Sequence, residues 1–252
     1  MITSVTSTNA RFTVTPTTDT IAPNGTRKFY ITFAPLVDGA QAGKIIFTHN
    51  AAKPKDTINV TGTGVSPLFS ATPMSLNFGN VRNELTKTDS VTVTNTGTDN
   101  LIISSITSSN VLFTVTPTTG TITPGASLKY YFTFAPLVDG VQSALMIFNH
   151  NAAKPKDTIT MTGNGVSPFF AVSPDTLNFG NVRNLTTKMD SITVTNTGTS
   201  DLVITSVTAS STIFTITPTS GTLTPGASQK YYITFAPVAD GFQQGTFTFN
   251  HN

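Results

Sequence analysis

The chain has 252 residues, with 14 Lys+Arg against 12 Asp+Glu, 38% apolar and 10% charged residues, and neither Cys nor Trp. The missing Cys excludes disulfide frameworks, thiolate metal sites and cysteine nucleophiles, the sparse and balanced charge offers no basic stripe to a nucleic-acid backbone, and no apolar run approaches the roughly 18 residues of a membrane span. Threonine fills 50 positions, interleaved with Val, Ile, Leu and Phe, and that mixture marks a folded all-β chain and not a disordered one.

Internal repetition sets the order of everything else. Phe33-Ala34-Pro35-Leu36-Val37-Asp38-Gly39 returns at Phe134 to Gly140 and again at Phe235 to Gly241, 101 residues apart each time. Residues 67–151 match 168–252 at 53 of 85 positions, and 1–66 match 102–167 at 43 of 66. A period near 100 is a whole domain. The register gives three units: 1–66 lacks its N-terminal strands, 67–167 is complete, and 168–252 lacks its C-terminal strand. This is the expected pattern of a segment of a longer repeat array.

In chain order, the first unit carries an aromatic strand whose Phe29, Ile31 and Phe33 share one face. The charged loop Lys53-Pro54-Lys55-Asp56 follows, and Gly64-Val65-Ser66-Pro67 joins the next unit. In the second unit, Val91-Thr92-Val93-Thr94 and Phe113-Thr114-Val115-Thr116 alternate apolar with polar, the mark of strands with one buried face. The turn Asn95-Thr96-Gly97-Thr98-Asp99-Asn100 separates strands, and Pro124-Gly125 introduces Tyr130-Tyr131-Phe132-Thr133-Phe134. His150 to Asp157 joins the last hairpin. In the third unit Ile192 to Thr195 and the face Tyr231, Ile233, Phe235 repeat the scheme. All nine aromatic-strand residues are predicted core. About seven strands per complete domain of ~100 residues, with turns every 8 to 12, give tandem immunoglobulin-like β-sandwiches.

The set Leu76-Asn77-Phe78-Gly79-Asn80-Val81, Ser90 to Gly97, Phe132 to Pro136 and Thr162-Gly163-Asn164-Gly165 resembles the ASH (abnormal-spindle and hydin) group of immunoglobulin-like modules. These are similar to major sperm protein domains, with bacterial relatives in secreted choice-of-anchor D proteins. The resemblance implies scaffolding in cilia and centrosomes, or stalk and spacer roles in bacterial surface proteins, and no catalytic motif.

The residues themselves show no convergent chemistry. His49, His150 and His251 lie one period apart, cannot meet at one ion, and have too few local ligands for a metal; a strand-end role is expected. Gly-x-Ser-x-Gly and His-Glu-x-x-His are missing, and Glu84 is the sole Glu. Asp38, Asp139 and Asp240 precede Gly in the same turn and are expected to cap their own backbone. Asn95, Asp99 and Asn100 supply oxygens too weakly charged for calcium, so that turn is expected to bond to itself. Thr61 to Gly64 and Thr162 to Gly165 contain Gly-x-Gly with no helix to follow; they are expected to end the last strand and let the chain swing into the next domain. Asn24, Asn59 and Asn184 head Asn-x-Thr sites at unrelated positions of the period.

The expected function is a non-catalytic structural spacer or scaffold in a longer secreted or cell-surface protein. Its first partners are the neighbouring repeats, and it uses no cofactor, nucleic acid or membrane span. Short Pro-stiffened linkers and domains roughly 30 Å long make a rod. The alternatives are a protein-binding module, adhesive or of the ciliary type and then cytoplasmic, or an accessory region of a secreted enzyme. The candidate protein-contact residues are Lys53, Lys55, Asp56, Lys154, Lys156 and Asp157.

Overall fold

A computed structural model describes all residues, 1–252. Every regular element is a strand, and no helix is long and apolar enough to cross a membrane. The first unit contributes β1 (Ile2–Ser7), β2 (Phe12–Thr15), β3 (Tyr30–Phe33), β4 (Gly39–His49) and β5 (Lys55–Gly64). The order β1-β4-β5 forms one sheet, and the pair β2-β3 lies apart.

The second unit is a two-sheet sandwich, built from β6 (Phe69–Thr72), β7 (Ser75–Arg82), β8 (Lys87–Asn95), β9 (Leu101–Ser108), β10 (Phe113–Thr116), β11 (Gly120–Ile122), β12 (Ser127–Phe134), β13 (Gly140–His150) and β14 (Lys156–Val166). The sheet β10-β12-β8-β6 packs on the sheet β11-β9-β13-β14-β7. These nine strands exceed the expected seven because β6 and β7, and likewise β10 and β11, are consecutive short strands that belong to opposite sheets.

Alternation decides what is buried. Tyr130, Phe132 and Phe134 are inaccessible on the inner face of β12, where Tyr130 stands opposite Val91 of β8, and Tyr131 lies outside at 47% exposure. Phe134 stacks on Phe113 at 4.5 Å between centroids, and Tyr130 meets Phe148 of the facing sheet edge-on at 5.3 Å. Aromatic pairs in these geometries add about 0.5–1.5 kcal/mol beyond their buried area.

The third unit comprises β15 (Phe170–Ser173), β16 (Lys188–Asn196), β17 (Leu202–Ala209), β18 (Phe214–Thr217), β19 (Gly221–Leu223), β20 (Ser228–Phe235) and β21 (Phe247–His251). Its core joins 11 buried residues, against 20 in the second unit and four in the first. The predicted core therefore needs correction in the first unit. Tyr231, Ile233 and Phe235 are buried like their counterparts, but Phe29 and Phe33 are half-buried and Ile31 is 39% exposed. Residues 1–66 contain no counterpart of β8 to pair with β3, so the edge of β3 away from β2 is unpaired, and Phe33 and Phe29 find aromatic cover only in Phe12 and Phe47.

Candidate functional site at the inter-repeat joints

The sequence signatures that recur at 101-residue intervals converge where one unit meets the next. Asn95 closes β8 and is fully buried. Its Oδ1 accepts from the Gly97 amide at 3.0 Å and from the Leu68 amide in the linker at 3.2 Å, and its Nδ2 donates to the carbonyls of Asp99 (2.7 Å) and Ile122 (2.9 Å). The expected self-bonded turn is thus present, and it also grips the incoming chain. Asn196 repeats every contact in the third unit, with Phe169, Gly198, Ser200 and Leu223 as partners.

Gly97 is fixed by this approach. A Cβ there would lie 2.3 Å from the Ser66 carbonyl oxygen and 2.5 Å from the Leu68 nitrogen; at Gly198 the corresponding gaps to Ser167 and Phe169 are the same. The linker runs directly against the glycine, and only a residue without a side chain admits it. The amides of Thr98 and Asp99 donate to the Ser66 carbonyl at 2.8 and 3.2 Å, and the Ser66 amide donates to Thr98 Oγ1 at 3.0 Å.

Across this seam reaches an aspartate. Thr98 Oγ1 donates to Asp38 Oδ2 at 2.5 Å, and Thr199 Oγ1 donates to Asp139 Oδ2 at the same distance. Asp139 Oδ1 also accepts from Ser167 Oγ and from Asn83 Nδ2, each at 2.7 Å. The expectation that these aspartates cap their own backbone is therefore corrected: Asp38 and Asp139 bind the linker and the first long turn of the following unit. Asp240 accepts from Asn184 Nδ2 at 2.6 Å. The Thr98 and Ser66 hydroxyls hold the Asp38 carboxyl below the usual carboxylate range, and those of Thr199 and Ser167, with the Asn83 amide, do the same for Asp139. Hydrogen bonds to the charged form favour that form.

The Gly-x-Gly segments sit beneath the same turn. A Cβ at Gly165 would stand 2.1 Å from the Val138 carbonyl oxygen, and one at Gly163 would stand 2.5 Å from the Phe134 ring. These glycines end the last strand as expected, β5 closing at Gly64 and β14 one residue past Gly165, and close packing leaves no room there for a side chain. Chain order hides this joint because its parts come from three separate stretches. The signal available in the sequence was the unbroken recurrence of Asp-Gly, Gly-Val-Ser-Pro and Asn-Thr-Gly-Thr together.

The candidate contact loops lie away from this seam. Lys53 and Lys154 are 81% and 77% exposed and pair with Asp56 (3.0 Å) and Asp157 (2.7 Å), while Lys55 and Lys156 face solvent. Asp56 is held below the usual range by Lys53 and, secondarily, by His49. The structure joins each loop to its own histidine: His150 Nε2 lies 3.2 Å from Asp157, Nδ1 accepts from the Ala152 amide, and the ring stacks on Phe69 at 4.9 Å. His251 stacks on Phe170 in the same way. The expected strand-end role is what these contacts show.

The model of the HYDIN/CFA65/VesB-like Ig-like domain matches residues 67–164 and 168–252, and no curated protein matches. Similar solved structures include a protein of unknown function from Porphyromonas gingivalis W83 (16% identity, 67% of this chain and 83% of that one, TM-score 0.36). Another is the ASH/PapD-like domain 7 of human CEP192 (15%, 40% and 86%, TM-score 0.36), and a third is the VesB protease of Vibrio cholerae (15%, 40% and 31%, TM-score 0.31). With two matched copies spanning well over half of its length, the chain belongs to the HYDIN/CFA65/VesB-like family of Ig-like domains.

Proposed function

We propose that the chain is a non-catalytic spacer or scaffold whose repeats are held at a fixed mutual angle by the aspartate-centred joints, within a longer secreted or cell-surface protein. The observation that carries this reading is the same joint built twice, from Asp38, Ser66 and Thr98 and from Asp139, Ser167 and Thr199. Free tethering needs no such contacts. A scaffold that sets distances does, because a linker of a few residues alone leaves the direction of the next domain open.

The chain has no Cys, so paired spin labels can be introduced cleanly. Labels at Lys129→Cys and Lys230→Cys, equivalent exposed positions of the second and third repeats, should give one narrow distance by pulsed electron resonance. Asp139→Ala combined with Thr199→Val should broaden it while circular dichroism stays unchanged. A broad distribution in the parent chain would refute the fixed-angle spacer. Fractionation of cells producing the native protein tests the proposed location.

A further inference from the structure

In the second repeat an opening strand and the last strand lie side by side. β7 stands at the end of its sheet with β14 as its sole neighbour there, and the two run parallel, Ser75 to Arg82 against Thr160 to Val166, over six residue pairs. Backbone bonds close both ends of this ladder: the Thr160 amide donates to the Met74 carbonyl at 3.3 Å, and the Asn83 amide donates to the Val166 carbonyl at 2.9 Å. Asn164 Nδ2 adds a side-chain rung to Asn80 Oδ1 at 2.9 Å. β7 is also rooted in the core, since Leu76, Phe78 and Val81 are buried, and Lys87 Nζ of β8 donates to the Phe78 carbonyl at 2.6 Å. The chain reaches β7 from the first repeat through one four-residue strand, β6, and it leaves β14 directly into the linker to the third.

Strand direction decides what tension does here. A pull on the two linkers draws β7 toward its own N-terminal end and β14 toward its own C-terminal end. Because the strands are parallel, these pulls oppose each other along the ladder and load it in shear. All its bonds then carry the force together, although each is weak alone. In an antiparallel terminal pair both pulled ends would lie at the same end of the ladder, and it would open bond by bond. We propose that the second repeat is a tension-bearing link, in which the ladder of β7 and β14 is a mechanical clamp that holds the fold against force applied through the linkers. When the clamp parts, Leu76, Phe78 and Val81 leave the core and the repeat unfolds as a unit. Force along the chain and the angle between repeats are separate properties, so this clamp and the fixed-angle joint can fail independently.

The test pulls single molecules of the full chain in two directions. With no Cys in the chain, handles attach cleanly at Val65→Cys and Phe169→Cys, exposed linker positions on the two sides of the repeat, and this pair shears the ladder. Handles at Val65→Cys and Lys156→Cys pull both strands from the same end and unzip it, because Lys156 is exposed at the N-terminal end of β14. Shear should need at least about twofold more force at equal loading rate, since forced unfolding reads the unfolding barrier and not equilibrium stability. Its single step should release residues 67–167 at roughly 3.3–3.6 Å per residue, less the folded span. Leu76→Ala, on β7, should lower the shear force; Ile103→Ala, equally buried but on β9, should leave it near the parent value although urea unfolding shows both variants destabilised. Equal forces in the two directions in the parent chain overturn the proposal, and so does a shear force that falls alike in both variants. A narrow spin-label distance in a chain with equal forces would keep the fixed angle and refute the clamp.

Discussion

Replacing Asn95 by Ala removes the most highly connected side chain of the joint. Four hydrogen bonds disappear, two to linker and turn amides and two to carbonyls, in a residue with no exposed surface. At about 1 kcal/mol net for each, the loss is about 4 kcal/mol, a large part of the 5–15 kcal/mol that a domain commands. Native-state hydrogen exchange followed by mass spectrometry reads this repeat by repeat in the full chain. Core amides of residues 67–167 should exchange about a thousandfold faster, since 1.4 kcal/mol is a factor of ten, and those of the third repeat's core should change little. Asn95→Asp should cost more at neutral pH, because the Nδ2 amide that donates to both Asp99 and Ile122 is replaced by a charged acceptor oxygen facing two carbonyls. A loss under about 1 kcal/mol for the Ala variant, or one shared equally by all repeats, would refute the view that this buried amide organises the turn and the linker together.

Other outcomes follow from single observations. Tyr130 Oη is buried without a partner, and burial pushes its pKa up to about 12; Tyr130→Phe should be neutral or stabilise the second repeat by about 1 kcal/mol in urea unfolding, because an unmet hydroxyl carries a desolvation cost. Gly163→Val should destabilise that repeat by about 3 kcal/mol in the same assay, through the forced displacement of the Phe134 ring. The aspartates of the joints titrate below the ordinary carboxylate value, so their contribution is complete above about pH 3.9 and is lost only as pH falls through the lower folded-state values. Spin-label distances across the second joint should accordingly stay narrow from pH 7 to 5 and broaden only in stronger acid. Broadening between pH 7 and 5 would contradict the assignment.

Most of the sandwich was legible because strands announce themselves by local rules. Val91-Thr92-Val93-Thr94 alternates on a period of two, and its valines are buried as that period requires. The split of the opening and middle strands between sheets was not legible. β6 and β7 are separated by two residues, and which sheet each joins depends on β8 and β14, distant in sequence. Phe29, Ile31 and Phe33 show the complementary limit. Their pattern matches that of Tyr130, Phe132 and Phe134, yet burial is a property of what stands opposite, and residues 1–66 have no counterpart of β8 beside β3.

The aspartates of the Asp-Gly turns carry this argument into function. A short polar residue before glycine satisfies a self-capping turn and an inter-repeat contact equally well, so one unit cannot distinguish them. Three units can. Asp139 and Asp240 each accept from an asparagine of their own repeat, Asn83 and Asn184, at 2.7 and 2.6 Å. In both repeats that contact is made wholly within one domain. The carboxylate is therefore aimed by its own domain before a neighbour engages it, and docking the next linker orders only the incoming Ser and Thr. Preorganisation of this kind lowers the entropic cost of fixing two bodies together, which is how a pair of exposed hydroxyl contacts can hold an angle that their individual strengths would leave free.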